Sequence, residues 1–148
     1  MPGLMDTFER SYVATPDAIG RVRADLAEFA AGHGMHRTRV DDVRLAVSEA
    51  VTNAVLHGYR DAAGTVRVSG RLADGALCVS VRDFGCGMRP QPIATGRIGM
   101  GLGLALIGRL VSELSVTRQP DGGTELRMRF ALMPAPVQAD RRATVAPA

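Results

Sequence analysis

The sequence predicts an α/β (α+β) two-layer sandwich, in which a mixed, mostly antiparallel sheet is covered on one face by three helices. Three observations lead there. Candidate elements run in the order β-α-α-β-β-α-β-β. Two pairs of strands follow each other through tight turns, at Asp74-Gly75 and at Asp121-Gly122-Gly123, which implies antiparallel pairing. Between the strands lie stretches with apolar residues at helical spacing, each of which must bury its stripe against another layer.

The first strand covers residues 7–14, TFERSYVA, where Phe8, Tyr12 and Ala14 are spaced by two or four. Thr15 is placed to cap a helix whose first turn holds Pro16. Ile19, Val22, Leu26 and Phe29 form its apolar stripe, and Gly32 and Gly34 end it. Thr38 opens a second helix, with Asp41 three residues on as an approximate capping box. That helix runs to Gly58, with Val40, Val43, Val47, Ala50, Val51 and Ala54 on its apolar side. Residues 64–72 and 76–83 read as a hairpin. Residues 84–98 carry glycine, proline and no periodicity, the pattern of a long functional loop. A third helix is expected over 101–114, then strands near 115–119 and 124–132. One domain therefore spans residues 1–132, and residues 133–148, rich in Ala, Pro and Arg, read as a disordered tail.

With 46% apolar residues, 4% aromatics and no Trp, the core must be built from Val, Leu, Ile, Ala and Met. No apolar run is long enough to span a bilayer, and the opening MPGLMDTFER lacks a signal-peptide pattern, so a cytoplasmic protein without a membrane partner is expected. Cys78 and Cys86 have no partners at metal spacing, so Cys78 is expected on a strand's core face and Cys86 in a loop. Every basic side chain except His is Arg, because the chain has no Lys. That excludes a P-loop and a protein-kinase fold, both of which need a Lys on the phosphates. The net charge of +3 comes without an Arg run interleaved with aromatics, so no direct nucleic-acid partner is expected. An acidic protein surface suits it better.

Three segments carry chemistry. On the second helix Glu49, Asn53 and His57 are spaced by four and share one face, beside the apolar stripe. An Asn oxygen can ligate Mg²⁺ while phosphates and waters supply the rest of the shell. A Glu one turn away can accept a proton from an attacking hydroxyl or water. In VRDFGCGM a strand delivers Asp83, then Gly85 and Gly87. Such an Asp can accept from the exocyclic amine of adenine, and glycines let backbone approach a flat ring. In GRIGMGLGLALIGRL, Gly99, Met100, Gly101, Leu102 and Gly103 feed straight into a helix, whose free N–H groups can hold phosphate. Arg97 stands just upstream, within reach of a terminal phosphate.

Taken together, AVSEAVTNAVLHGY, VRDFGCGM and GMGLGLALI resemble the asparagine box and the two glycine boxes of the ATPase superfamily shared by gyrase, a heat-shock chaperone, histidine kinases and MutL. More narrowly, SEAVTNAVLHGY resembles the anti-sigma-factor serine kinases of sporulation and general stress. The likeness covers about residues 7–132. It implies a Bergerat-type, histidine-kinase-like fold that binds ATP and Mg²⁺. By resemblance, Asn53 would coordinate Mg²⁺, Glu49 would be the general base, and Asp83 would hold the adenine amine beside Gly87. Gly99, Gly101 and Gly103 would line the phosphates, and Thr124 matches a Thr that helps hold the adenine through water. Arg97 matches an Arg before the second glycine box. Arg21 falls where those kinases touch their sigma factor. The segment between Gly87 and Gly99, residues 88–98, corresponds to the ATP lid and is shorter than in the sporulation and stress kinases.

The expected function is an ATP-binding anti-sigma factor that binds a sigma factor and phosphorylates an anti-anti-sigma antagonist, acting as a homodimer. The alternative is a nucleotide-gated binding module without kinase turnover. A detached histidine-kinase catalytic domain ranks below both, because none of His33, His36 and His57 lies in a plausible dimerisation hairpin.

Overall fold

The computed structural model describes residues 6–57, 64–84, 101–120 and 122–135. The elements are β1 (Thr7–Val13), α1 (Pro16–Gly32), α2 (Arg37–His57), β2 (Thr65–Ala73), β3 (Ala76–Asp83), α3 (Gly101–Leu110), β4 (Glu113–Arg118) and β5 (Thr124–Ala131). The strands form one sheet in the order β1-β2-β3-β5-β4. The expected antiparallel dominance is complete, since all four neighbouring pairs run antiparallel. No described helix is long and apolar enough to cross a membrane.

Local chemistry explains most boundaries. Thr15 precedes α1 in extended conformation and Pro16 follows as the first helical residue, although the Thr15 hydroxyl makes no cap bond. The far end of α1 closes as a Schellman pair, with Met35 N–H donating to Ala30 O and Gly34 N–H to Ala31 O. The β2–β3 turn places Asp74 and Gly75 at φ 51° and 71°, the two positive values of a type I′ hairpin turn.

Two expected helix ends are corrected. Residue Thr38 does not open α2, which begins at Arg37 after His36. There the His36 Nδ1 accepts the Thr38 N–H at 3.3 Å and lies 2.9 Å from the Thr38 hydroxyl. The imidazole does the work expected of a Thr cap, and Asp41 pairs with Arg44 at 2.8 Å instead of reaching back. The third helix stops at Leu110 rather than running to 114, and β4 begins at Glu113. The Ser112 N–H donates to Arg129 O at 2.8 Å, so the chain joins the ladder beside β5 as soon as α3 ends.

One face of the sheet carries Val66, Val68, Leu77, Val79, Val81, Leu126, Met128 and Phe130, all buried beneath the helices. From above, α1 adds Val22 and Leu26, α2 adds Val43, Val47 and Val51, and α3 adds Ile107, each with 0% exposure. Ala46, Ala50 and Ala54 complete the buried stripe of α2, and their small side chains let it lie close to its neighbours. The other face is polar. Cys78 belongs to it, in register with Arg71 and Arg129. The expectation of a core-facing Cys78 is thus corrected: strand parity puts Leu77 and Val79 inside and Cys78 with Ser80 and Arg82 outside.

Candidate functional site

Asn53 and Glu49 sit one turn apart on α2, and the structure brings both against the first turn of α3. Asn53 is buried at 9% exposure, and Glu49 is half-buried. Opposite them stands Gly103. A Cβ at that position would lie 3.2 Å from Glu49 Oε2 and 3.4 Å from Asn53 Nδ2. Only a residue without a side chain lets the α3 backbone come this close while both polar groups keep their positions. The Asn53 Nδ2 is buried and makes no hydrogen bond among the described residues. A buried donor left without a partner carries a desolvation cost that folding alone does not recover.

A second cluster forms where β3 ends and β5 begins. Asp83 is 1% exposed and Thr124 4%, and both face the helix layer in line with Val81 and Leu126. The Thr124 N–H lies 3.4 Å from Asp83 Oδ1. Phe84 turns to the opposite side, with Arg82 and Arg67 guanidinium groups 4.7 and 5.2 Å from its ring centroid. That stacking holds the chain at the point where Asp83 must point inward. Between the clusters of β3 and β5 stands a residue that sequence reasoning treated only as part of a turn. A Cβ on Gly123 would overlap the Asp83 carbonyl oxygen and lie 3.1 Å from Phe84 Cα. Gly123 therefore lets β5 start against the end of β3. The available signal was its place directly before Thr124 in DGGT.

The remaining expected positions divide. Gly101 opens α3, and Leu102 follows it in the same turn. His57 is the last residue of α2. Arg21 is exposed on α1. Gly85, Gly87, Arg97, Gly99 and Met100, like Cys86, lie outside the described residues. Among the described residues no three His, Cys, Asp or Glu side chains gather as a metal cluster. A cation here would be shared between few protein oxygens and a ligand, which is the habit of Mg²⁺.

The sequence profile described as "Histidine kinase-like ATPase domain" matches residues 12–130. The chain belongs to that family. The contact of Gly103 with Glu49 and Asn53 thus lies within a histidine kinase-like ATPase domain. Within the family the chain is similar to the proteins named anti-sigma F factor. It is 30% identical to that of Clostridium acetobutylicum over 140 residues, covering 88% of this chain and 98% of the relative. It is 30% identical to that of Bacillus subtilis over 115 residues, covering 72% and 79%. Among solved structures, the RsbU and RsbW domains of a Mycobacterium tuberculosis protein align with a TM-score of 0.67 and 33% identity. That alignment covers 84% of this chain and 32% of the other, so this chain spans about a third of the length of that two-domain chain. The histidine kinase domain of a blue-light activated histidine kinase from Erythrobacter litoralis aligns with a TM-score of 0.55 and 25% identity, covering 79% of this chain and 60% of that one.

Proposed function

We propose that the protein is an anti-sigma factor that binds Mg-ATP and transfers its γ-phosphoryl group to a serine of an antagonist protein. The observation that carries this reading is the contact of Gly103 with Glu49 and Asn53. It sets a proton acceptor and an amide beside a helix N-terminus, the combination that phosphoryl transfer to a hydroxyl requires. The buried Asn53 Nδ2, without a partner among the described residues, fits a side chain arranged for a ligand rather than for the fold. The near full-length match to relatives named anti-sigma F factor supports a sigma factor as the bound protein.

In this reading Asn53 holds Mg²⁺ through its amide oxygen. An ion held there would supply positive charge against the phosphates. The backbone from Gly99 through Met100, Gly101 and Leu102 to Gly103 donates N–H groups to the phosphates, and Arg97 adds its charge at the terminal one. Asp83 accepts from the adenine amine, Thr124 stands beside it, and Gly85 and Gly87 leave room for the base. His57 extends the polar face of α2. Glu49 takes the proton of the attacking serine as its oxygen bonds to phosphorus and ADP leaves. Arg21, exposed on α1, faces the sigma factor, and two copies of the chain act as a homodimer.

The test is transfer from γ-labelled ATP with Mg²⁺ in a host lysate, wild type against Glu49→Ala. A small protein labelled by wild type should lose its label by about 10²- to 10⁴-fold in the variant. Equal labelling by both proteins sinks the kinase reading. Nucleotide binding with no Glu49-dependent label points to the nucleotide-gated binding module instead.

A further inference from the structure

Arg39, on the first turn of α2, makes a three-way junction far from Glu49. Its Nε donates to Ala131 O at 3.1 Å, at the end of β5. Its Nη2 donates to Leu110 O at 3.2 Å, the last carbonyl of α3. Its Nη1 meets Asp42 Oδ2 at 2.6 Å, so the guanidinium is itself aimed by the next turn of α2. All three guanidinium nitrogens are engaged, and the side chain retains only 18% exposure.

The helix that Arg39 holds has few other anchors. Among the described side chains of α3 only Ile107 is fully buried, with Leu104, Leu106 and Leu110 partly so. The last carbonyls of a helix lack partners within it and carry the negative end of its dipole. A guanidinium on the Leu110 carbonyl satisfies both needs and pins that end to α2 and β5. A rigid helix of ten residues, about 15 Å long, transmits an axial shift at one end to the other. At that other end Gly103 faces Glu49 and Asn53 so closely that even an added Cβ would lie 3.2 Å from Glu49 Oε2.

We propose that Arg39 is a positioning residue for the nucleotide site, setting how far α3 advances toward Glu49 and Asn53. This inference rests on the nucleotide reading above. The test is calorimetric titration of the full chain with Mg²⁺ and a non-hydrolysable ATP analogue, well below the unfolding temperature. Arg39→Met keeps the stem and removes the fork. Its affinity should fall about tenfold, the scale of one lost charge-assisted bond. Arg39→Lys, which keeps the charge but offers a single point of contact, should recover part of that loss. Val22→Ala, which opens the core under α1 and lowers thermal stability without touching α3, should bind as wild type does. Unchanged affinity in Arg39→Met, or an equal loss in Val22→Ala, overturns the inference. If Arg39→Met does not fold, Arg39→Lys decides alone, with wild-type affinity overturning it. Wild type that does not bind the analogue sinks the nucleotide reading itself. Binding by wild type that ignores Arg39 sinks only this inference.

Discussion

Where β1 crosses α1, Tyr12, Asp25 and Arg10 satisfy one another. The Tyr12 hydroxyl donates to Asp25 Oδ2 at 2.7 Å, and Arg10 Nη1 meets the same oxygen at 3.0 Å. Burial and the bond to Asp25 push the Tyr12 hydroxyl well above its ordinary value, and the bond to Asp25 raises Arg10. At the α2–α3 contact the pattern is different. Asn53 is buried with an amide nitrogen that bonds nothing among the described residues, and Gly103 withholds the side chain that would crowd it. The first cluster spends its polar groups on holding two elements together. The second keeps polar groups in reserve, at a cost to stability, as binding sites do.

The strongest challenge to this contrast is at the β3–β5 junction that frames the second region. Gly123→Ala should destabilise the protein by about 3 kcal/mol, because the new Cβ meets the Asp83 backbone, which cannot yield as a side chain would. Urea unfolding measures it, and a loss under about 1 kcal/mol would show that β5 can shift freely. Asn53→Leu comes next. It should remove nearly all of the stabilisation by Mg-ATP, about 2.7 kcal/mol at a hundredfold excess over Kd. The nucleotide-free protein should be no less stable than wild type, because an unpaired buried amide is gone. Thermal shift with and without nucleotide reads both, and a variant that is simply less stable in each condition breaks the contrast.

In the first region, Tyr12→Phe should cost about 1 kcal/mol and leave nucleotide affinity untouched, since it deletes one hydrogen bond to Asp25. The smallest effect is expected at Glu125, on the open face of the sheet. Burial raises its carboxyl, but the Ser80 hydroxyl, Arg127 and the charge of Arg82 outweigh that and hold it below the ordinary 4.5. A carboxyl lowered in the folded state contributes stability that is complete above 4.5 and lost as pH falls through the lower folded value. The stability advantage of wild type over Glu125→Gln should therefore shrink on acidification from about pH 6 to about pH 3. An advantage that grows on acidification would reverse the sign.

Much of this was legible in the chain before folding. Glu49 and Asn53 share a face because four residues make about one helical turn, wherever the helix lies. The hairpin at Asp74-Gly75 follows from turn chemistry alone. The parity of Cys78 was also there to be read, since Ser80 and Arg82 alternate with it, yet its apolar character suggested the core. The end of the third helix was not legible, because Val111 and Leu114 continue an apolar pattern that suits either a helix or an edge strand. Whether β5 offers Arg129 O to Ser112 decides between them, and that depends on the assembled sheet.

By itself the sequence determined the element order, the antiparallel hairpins, the apolar stripes and the shared helix face of Glu49 and Asn53. These depend on periodicity and turn preferences, which operate over a few neighbouring residues. Only the tertiary structure decided that Gly103 abuts Glu49 and Asn53, that Gly123 abuts Asp83, and that Arg39 ties α3 to β5. Those contacts join residues up to 92 positions apart. No local preference specifies such a pair, because its geometry exists only once the layers have packed.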